Sequence, residues 1–325
     1  MYKVISLFSG AGGMDKGFEG NFSIFDFKAK KTDFKIVQAC EIDKFAVKTY
    51  NYNFTGEVFN GDVREYKAPY DTDIVLGGFP CQDFSLAGKM RGLKSERGNL
   101  YLEMARIISE SNPKVFIAEN VENLTKIDNG TAMEQIVRDF KELGYAIHYN
   151  VYDMSKYGIP QKRKRVIIFG VKQEYDKIIG ESITDLSRFE TKVRSSFDAI
   201  DDLWGTTDLN QQDKYSKAKF RYNSKSQGNV RIARNQPAPT IRAEHHGNIE
   251  GHYRTTLSDE NDIAGWRRLT PRECARLQTF PDDFIFPVSA SSAYKQIGNA
   301  VPPMFAWYVA QNVQEALKKI YEYKN

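Results

Sequence analysis

Cys81 and Glu119 are the side chains of this 325-residue chain whose types and positions could do chemistry. Cys81 lies in GGFPCQDFS, where Pro80 restricts the backbone immediately before it. Glu119 ends the apolar run KVFIAEN. A loop cysteine can act as a nucleophile, and a carboxylic acid at a strand end can carry a proton. An inert buried cysteine and a surface glutamate are the simpler alternatives, but their shared place at one predicted sheet edge favours catalysis.

A glycine-rich turn near the N-terminus could bind a cofactor. LFSGAGGMDKGF places Gly10 and Gly12 between a predicted strand and a predicted helix, where backbone can approach a ligand. The spacing does not fit G-x-G-x-x-G, and a turn without a ligand would have the same pattern. Glu41 follows the second predicted strand and Asp62 lies in NGDV, so both could accept hydrogen bonds from a nucleoside. Together these residues favour a nucleoside-bearing cofactor.

Two basic stretches could contact phosphates. QKRKR at 161–165 precedes a strand whose alternation predicts Arg163 and Arg165 on one side. Residues 213–254 contain nine Lys or Arg and three acidic residues, a net charge of +6, with aromatic residues and histidines between them. That mixture suits phosphates and stacked bases. A solvated charge run is the simpler alternative for either stretch taken alone.

The elements that must position these residues predict an α/β fold with a doubly wound, mostly parallel sheet. Short β-branched runs alternate with helical patterns up to Val171. The predicted strands are 4–8, 35–40, 73–78, 114–120, 146–152 and 165–171. The predicted helices are 43–53, 99–111, 132–145 and a C-terminal helix from Pro303. We expect one large domain, 1–171 with 286–325, and a second, smaller irregular domain over 172–285.

Composition excludes several classes of protein. Lys and Arg number 46 against 42 Asp and Glu, a net charge of +4, and 41% of the residues are hydrophobic. This balance excludes collagen, coiled coils and intrinsic disorder. The apolar runs are too short for a membrane span or a signal peptide, so we expect a cytoplasmic protein. Three cysteines without C-x-x-C spacing argue against a disulfide framework or a zinc site, and no metal is expected.

Taken in order, six segments closely resemble the cytosine-5 DNA methyltransferases of restriction-modification systems. LFSGAGGMDKGF is similar to the cofactor loop of that family, GGFPCQDFS to its nucleophile loop, ENV at 119–121 to its acid motif, and QKRKR to its Q-x-R-x-R motif. Residues 267–284 and 296–303 are similar to its last two blocks. Six ordered blocks are specific, whereas any one could arise by chance.

The resemblance implies the methyltransferase fold, S-adenosylmethionine as cofactor, and a covalent mechanism. Cys81 is the expected nucleophile at carbon 6 of cytosine. Glu119 is expected to hydrogen-bond or protonate ring N3, while Arg165 holds the exocyclic oxygen and Arg163 lies in the same site. The methyl group then passes to carbon 5, and no step needs a metal.

The resemblance also assigns a cofactor pocket. Glu41 is expected to bind the ribose hydroxyls, and Ile42 takes the place where members of the family often carry an aromatic residue that stacks on adenine. The full set of expected cofactor residues is Phe8, Gly10, Gly12, Glu41, Ile42, Asp62, Val63, Pro80, Leu100 and Asn299.

The implied substrate is duplex DNA, from which the target cytosine must be flipped out. Residues 85–99, rich in Gly, Lys and Arg, are predicted to close over that base. Thr240 and Ile241 resemble the family's Thr-Leu landmark in a target-recognition region that spans 172–265. Contacts with phosphates alone are as compatible with the sequence as contacts with bases. The expected DNA contacts are Gln82, Ser85, Arg97, Thr240, Arg242 and Arg254.

Other functions are compatible with parts of this pattern. A transfer RNA cytosine-5 methyltransferase would use the same scaffold and chemistry, and the long middle region favours DNA over it. A catalytically inactive DNA-binding protein is opposed by the intact catalytic residues. A nicotinamide-dependent oxidoreductase would have no use for Cys81. Pairing with a restriction endonuclease fits the family, and an enzyme without such a partner would show the same sequence; we expect a monomer.

Replacing the expected nucleophile tests the covalent mechanism. Cys81→Ala should abolish methylation but leave DNA binding in place, because the thiolate is needed for addition to carbon 6 and not for holding the duplex. Methyl transfer and DNA binding are measured side by side on the purified variant. Full activity of the variant would overturn the mechanism.

Overall fold

A seven-stranded sheet supports the molecule, seen in a computed structural model that describes residues 1–69, 71–80, 100–204, 230–243, 252–255 and 266–324. The strands up to residue 172 are β1 (Tyr2–Leu7), β2 (Phe22–Ile24), β3 (Phe27–Ala29), β4 (Phe34–Glu41), β5 (Glu57–Asn60), β6 (Ile74–Gly77), β7 (Val115–Val121), β8 (Tyr145–Asp153) and β9 (Lys164–Lys172). β2 and β3 pair separately, and the other seven lie in the order β5-β4-β1-β6-β7-β9-β8.

Most neighbouring strands in this sheet run parallel. β1 pairs in parallel with β4 and β6, β4 with β5, and β6 with β7. β9 runs antiparallel to both β7 and β8. The predicted α/β fold with a mostly parallel sheet is confirmed, and all six predicted strands are present. β5 was not predicted, because a four-residue edge strand without a buried side chain carries no apolar run.

Helices cover both faces of the sheet. In the described residues they are α1 (Gly13–Glu19), α2 (Lys44–Asn53), α3 (Leu100–Ser111), α4 (Thr131–Glu142), α5 (Asp176–Ile179), α6 (Ser196–Ile200), α7 (Pro271–Leu277), α8 (Ala290–Asn299) and α9 (Pro303–Lys324). The four predicted helices correspond to α2, α3, α4 and α9. Successive residues of β6 point to opposite faces, so Ile74 and Leu76 share a buried cluster with α1 and α9, while Val75 packs with α3 and α4.

The smaller part of the structure is tied to the sheet by a third buried cluster. Its short strands are β10 (Val230–Arg231), β11 (His252–Arg254) and β12 (Arg267–Arg268). In the cluster, Leu269 and Phe280 join Tyr50 of α2 and Ile297 of α8. The two parts therefore share a core across α2, α7 and α8.

The boundary predicted after Val171 stays a prediction. Val171 is inside β9, and the next segment packs on the large domain, because Tyr175, Ile179 and Ile183 share a buried cluster with α9. These apolar residues lie on 3-10 turns and the one-turn helix α5, which are too short for a hydrophobic period to be recognised in the sequence. No helix in the described ranges is both long and apolar enough to cross a membrane.

Candidate active site

Several of the expected catalytic and cofactor residues lie at one edge of the sheet. β1, β4, β5, β6 and β7 are parallel, so their carboxyl ends lie together. Phe8 follows β1, Glu41 ends β4, and Glu119 lies near the end of β7. Crevices at this edge are where open α/β sheets bind ligands.

The glycine turn after β1 is held against Glu41. The Gly10 N–H donates a hydrogen bond to Glu41 Oε2 at 2.8 Å. Gly10 has φ +56°, and no described residue other than its chain neighbours has an atom within 4 Å of the place where a Cβ would stand, so the described part of the structure leaves this side of the turn open to a ligand. Gly12 has φ +88°, and a Cβ there would lie 2.4 Å from the Phe54 ring. The turn therefore needs glycine at both positions, for different reasons.

Glu41 is positioned to accept hydrogen bonds from a ligand. Its Oε1 accepts the Asp43 N–H at 2.8 Å, so both oxygens are fixed by backbone donors, and a carboxylate has further lone pairs to offer. Burial raises the pKa of Glu41, and the hydrogen bonds from Asp43 and Gly10 lower it. Both oxygens of Asp62 also accept hydrogen bonds within the protein, from the backbone N–H and the guanidinium of Arg64 at 2.9 and 3.0 Å.

The remaining expected cofactor residues differ in exposure. Ile42 is 68% exposed beside Glu41, so its apolar side chain is available to a ligand. Val63 is buried in the core, which leaves only its backbone. Asn299 is exposed at the last position of α8. Half-buried positions are Phe8 and Leu100, and Pro80 is exposed.

Glu119 and Arg165 form an ion pair at the same edge. In the antiparallel ladder Glu119 lies opposite Ile167, so Arg165, two residues away on β9, is its diagonal neighbour on the same face. Arg165 Nε lies 2.9 Å from Glu119 Oε1, and both side chains are largely buried. A Cβ on Gly78 would lie 3.3 Å from Glu119 Oε2, so the carboxylate also reaches the segment after β6.

Asn120 fixes the backbone that leads to the expected nucleophile. Its Nδ2 donates to the carbonyl of Phe79 at 2.9 Å, and its Oδ1 accepts the Val121 N–H at 2.8 Å. Phe79 precedes Pro80, the last described residue before Cys81. Cys81 itself lies outside the described residues. Sequence reasoning noticed Asn120 beside Glu119 without a role, because the carbonyl that it binds is 41 residues away.

Arg163 lies close enough to Glu119 and Arg165 for their charges to act on it, and its own hydrogen bonds go to backbone carbonyls. Its guanidinium is buried and donates to the carbonyls of Ile241, Gly298 and Ala300 at 3.1, 3.1 and 2.9 Å. Burial lowers the pKa of Arg163, the positive charge of Arg165 lowers it further, and the charge of Glu119 raises it. β9 begins at Lys164, so Arg163 lies just before the strand, and its catalytic role stays a prediction.

Arg254 is also an internal residue, so its predicted contact with DNA is corrected. Its side chain is 0% exposed and binds Glu273 and Asp201, both at 2.9 Å. Arg242 is exposed, and Thr240 donates to the Lys162 carbonyl. The other expected DNA contacts, Gln82, Ser85 and Arg97, lie outside the described residues.

Asp15 is a buried carboxyl group beneath the glycine turn that the sequence did not single out. It lies in the first turn of α1 with 0% exposure, and Ser6 Oγ donates to its Oδ1 at 2.6 Å. Burial raises the pKa of Asp15 to about 6, although the Ser6 hydrogen bond and the nearby hydroxyl of Tyr50 lower it.

Comparison with known proteins places the chain in a family. Residues 2–315 match the family of C-5 cytosine-specific DNA methylases. The chain is 35% identical over 331 residues to the type II methyltransferase M1.ScrFI of Lactococcus lactis subsp. cremoris, across 98% of this chain and 79% of that protein. It is 33% identical over 337 residues to the type II methyltransferase M.FnuDI of Fusobacterium nucleatum, across 97% and 95%.

A solved structure shares the fold. Dnmt2 methyltransferase of S. pombe superposes with a TM-score of 0.71 at 18% identity, across 98% of this chain and 99% of that one. The family match and the relatives together define a methyltransferase of the cytosine-5 class. The chain belongs to the family of C-5 cytosine-specific DNA methylases, and the resemblance drawn from its six motifs is confirmed.

Replacing Asp15 should change how stability depends on pH. A carboxyl group whose folded-state pKa lies above its unfolded value stabilises the fold at low pH, and this contribution is lost as the pH rises from about 4 to about 6. Asp15→Asn cannot ionise. Its free energy of unfolding relative to wild type should therefore rise by about 2 kcal/mol between pH 4 and pH 7.

Denaturant unfolding of both proteins at pH 4, 5.5 and 7 measures this difference. The comparison must be between the two proteins, because buried His252 acts in the opposite direction: burial lowers its pKa to about 4, so its contribution is lost as the pH falls from about 6.5. A difference that stays constant across the three pH values would contradict the assignment of Asp15.

Proposed function

We propose that the protein is an S-adenosylmethionine-dependent DNA cytosine-5 methyltransferase, the modification enzyme of a type II restriction-modification system. The observation that carries this proposal is the Glu119–Arg165 ion pair at the sheet edge that also holds the Gly10–Glu41 contact. An acid beside a cation suits the recognition of cytosine, whose N3 and exocyclic oxygen are adjacent acceptors. Its family membership supports the same chemistry.

The residues at the end of β1 and β4 fit the nucleoside end of the cofactor. Glu41 keeps free lone pairs for ribose hydroxyls, Gly10 leaves open space for the ligand, and Ile42 offers an apolar surface to a base. When bound, S-adenosylmethionine supplies a methyl group activated by its sulfonium charge. The protein's part is to hold that group against carbon 5 of the cytosine.

The chain's own residues supply the covalent chemistry. Cys81 adds as a thiolate to carbon 6, and the electron pair of the 5,6 double bond moves into the ring towards N3. Glu119 stabilises that density by a hydrogen bond or a proton at N3, and Arg165 holds both the carboxylate and the exocyclic oxygen. After methyl transfer to carbon 5, loss of the carbon 5 proton restores the double bond and expels Cys81.

DNA is the favoured substrate over transfer RNA. The relatives at 33–35% identity that span nearly the whole chain are type II methyltransferases. The likeness to Dnmt2 methyltransferase, at 18% identity, concerns the fold alone.

Sequencing of methylated host DNA tests the proposed function. The protein is expressed in a host without cytosine methylation, and the genomic DNA is sequenced after bisulfite conversion. Protected cytosines confined to one short motif are the expected result, and they would also identify the recognised sequence. Full conversion of the genome in the presence of soluble protein would contradict DNA as the substrate, and bisulfite sequencing of host transfer RNA would then test the alternative.

Replacing the acid tests its role at N3. Glu119→Gln keeps the size and a hydrogen-bonding amide but can neither transfer a proton nor pair as a charge with Arg165. We expect kcat to fall by about 10²- to 10⁴-fold, as is typical of general acids, while the Kd for DNA changes little.

Glu122→Gln is the matched control. Glu122 lies three residues further on, pairs with Lys126 near the surface, and should keep wild-type kcat when changed. If Glu119→Gln and Glu122→Gln had the same kcat as wild type, Glu119 would have no part in the reaction.

A further inference from the structure

The peptide of Ile241 is held from both sides by the Q-x-R-x-R motif. Gln161 Oε1 accepts the Ile241 N–H at 2.8 Å, and Arg163 Nη1 donates to the Ile241 carbonyl at 3.1 Å. All three residues are buried. This segment therefore has no freedom to shift without breaking a buried hydrogen bond or moving the motif with it.

The same two side chains continue to the last turn of α8. Arg163 Nη2 donates to the carbonyls of Gly298 and Ala300, the residues on either side of Asn299. Gln161 Nε2 donates to Gln278 Oε1 at 2.9 Å, and Gln278 Nε2 donates to the Ile297 carbonyl at 2.7 Å. Two independent relays thus join Ile241 to the end of α8.

Backbone packing closes the same connection. A Cβ on Gly298 would lie 2.2 Å from the carbonyl carbon of Arg242, so only glycine lets α8 contact this segment directly. We call Gln161, Arg163 and Gln278 the coupling clamp. Because all three side chains are buried, a displacement at one end is passed to the other instead of being absorbed by solvent.

The clamp joins the two expected binding surfaces. Thr240 and Arg242 flank Ile241 and are expected DNA contacts, and Arg242 is exposed. Asn299, which lies between the two carbonyls bound by Arg163, is exposed and is an expected cofactor residue.

We propose that the coupling clamp makes DNA binding and cofactor binding cooperative, with Arg163 as a positioning residue. The inference rests on the proposed function, since it needs both ligands. Binding of DNA against Thr240 and Arg242 fixes Ile241, and the clamp then fixes the backbone around Asn299. By thermodynamic linkage, a bound cofactor raises the affinity for DNA by the same factor by which bound DNA raises the affinity for the cofactor.

The chemistry of Arg163 supports positioning as its purpose. Among the described residues, its guanidinium donates to three backbone carbonyls, and its Nε is buried without a hydrogen-bond partner. Burying a cation in this way costs desolvation that apolar packing would not. What the guanidinium provides instead is a planar fork with several donors, which can fix three carbonyls from two segments at once.

Binding measurements on conservative variants test the proposal. Arg163→Lys keeps the charge but loses the fork, and Gln278→Met keeps the approximate volume but breaks the second relay. Arg188→Lys is the matched control, because Arg188 binds Glu315 and Asn312 away from the clamp. The probe is a fluorescent duplex with the motif found by bisulfite sequencing, titrated with and without S-adenosylhomocysteine.

The measured quantity is the ratio of the two Kd values for DNA. Allosteric coupling is typically about 5- to 150-fold, and we expect wild type and Arg188→Lys to fall in that range. Arg163→Lys and Gln278→Met should each reduce the ratio to less than about 3-fold. If these residues only stabilised the fold, their replacement would lower the Tm or weaken the binding of both ligands, and the ratio of Kd values would stay unchanged.

The outcomes separate the two proposals. If the folded variants kept the wild-type ratio of Kd values, the proposed coupling through the clamp would be wrong. If Arg163→Lys does not fold, Gln278→Met alone decides the test. A wild-type protein that binds DNA and S-adenosylhomocysteine without any coupling would also overturn the clamp but leave the proposed function standing. A wild-type protein that binds neither ligand would overturn the proposed function and the clamp with it.

Discussion

The antiparallel placement of β9 between β7 and β8 determines where the catalytic charges lie. Because β9 runs against β7, its first residues stand at the carboxyl edge of the parallel strands. Arg165 therefore reaches Glu119. A nine-residue strand is about 30 Å long, so a parallel β9 would begin at the far edge of the sheet, away from the site.

The residues of the Q-x-R-x-R motif make two sets of contacts, because they lie in different parts of the structure. Arg165 lies on the strand and pairs with Glu119, whereas Gln161 and Arg163 precede it and turn into the junction with α8. The buried cation at Arg163 is costly, and its carbonyl partners come from segments 78 and 135 residues away. The same motif thus contacts both the Glu119 carboxylate and the peptide of Ile241.

Charged side chains give order to the smaller part of the structure, where the strands have only two or three residues. Buried Arg254 binds Glu273, which also binds Arg267 at 2.7 Å. Arg254 and Arg267 both stack on Trp204. Short strands provide few backbone hydrogen bonds, so this ion network and its ring contacts take over the task of fixing the segments.

Local pattern in the sequence was enough for six of the seven strands of the main sheet, four helices and the family, since apolar periodicity and motif spacing are properties of short segments. It could not place Arg163, Arg254 or Asn120. A charged or amide side chain reads the same in a sequence whether its partner is water, a ligand or a distant carbonyl. Only the folded arrangement brings Ile241, Gly298 and Glu273 to those side chains, and their burial follows from that contact.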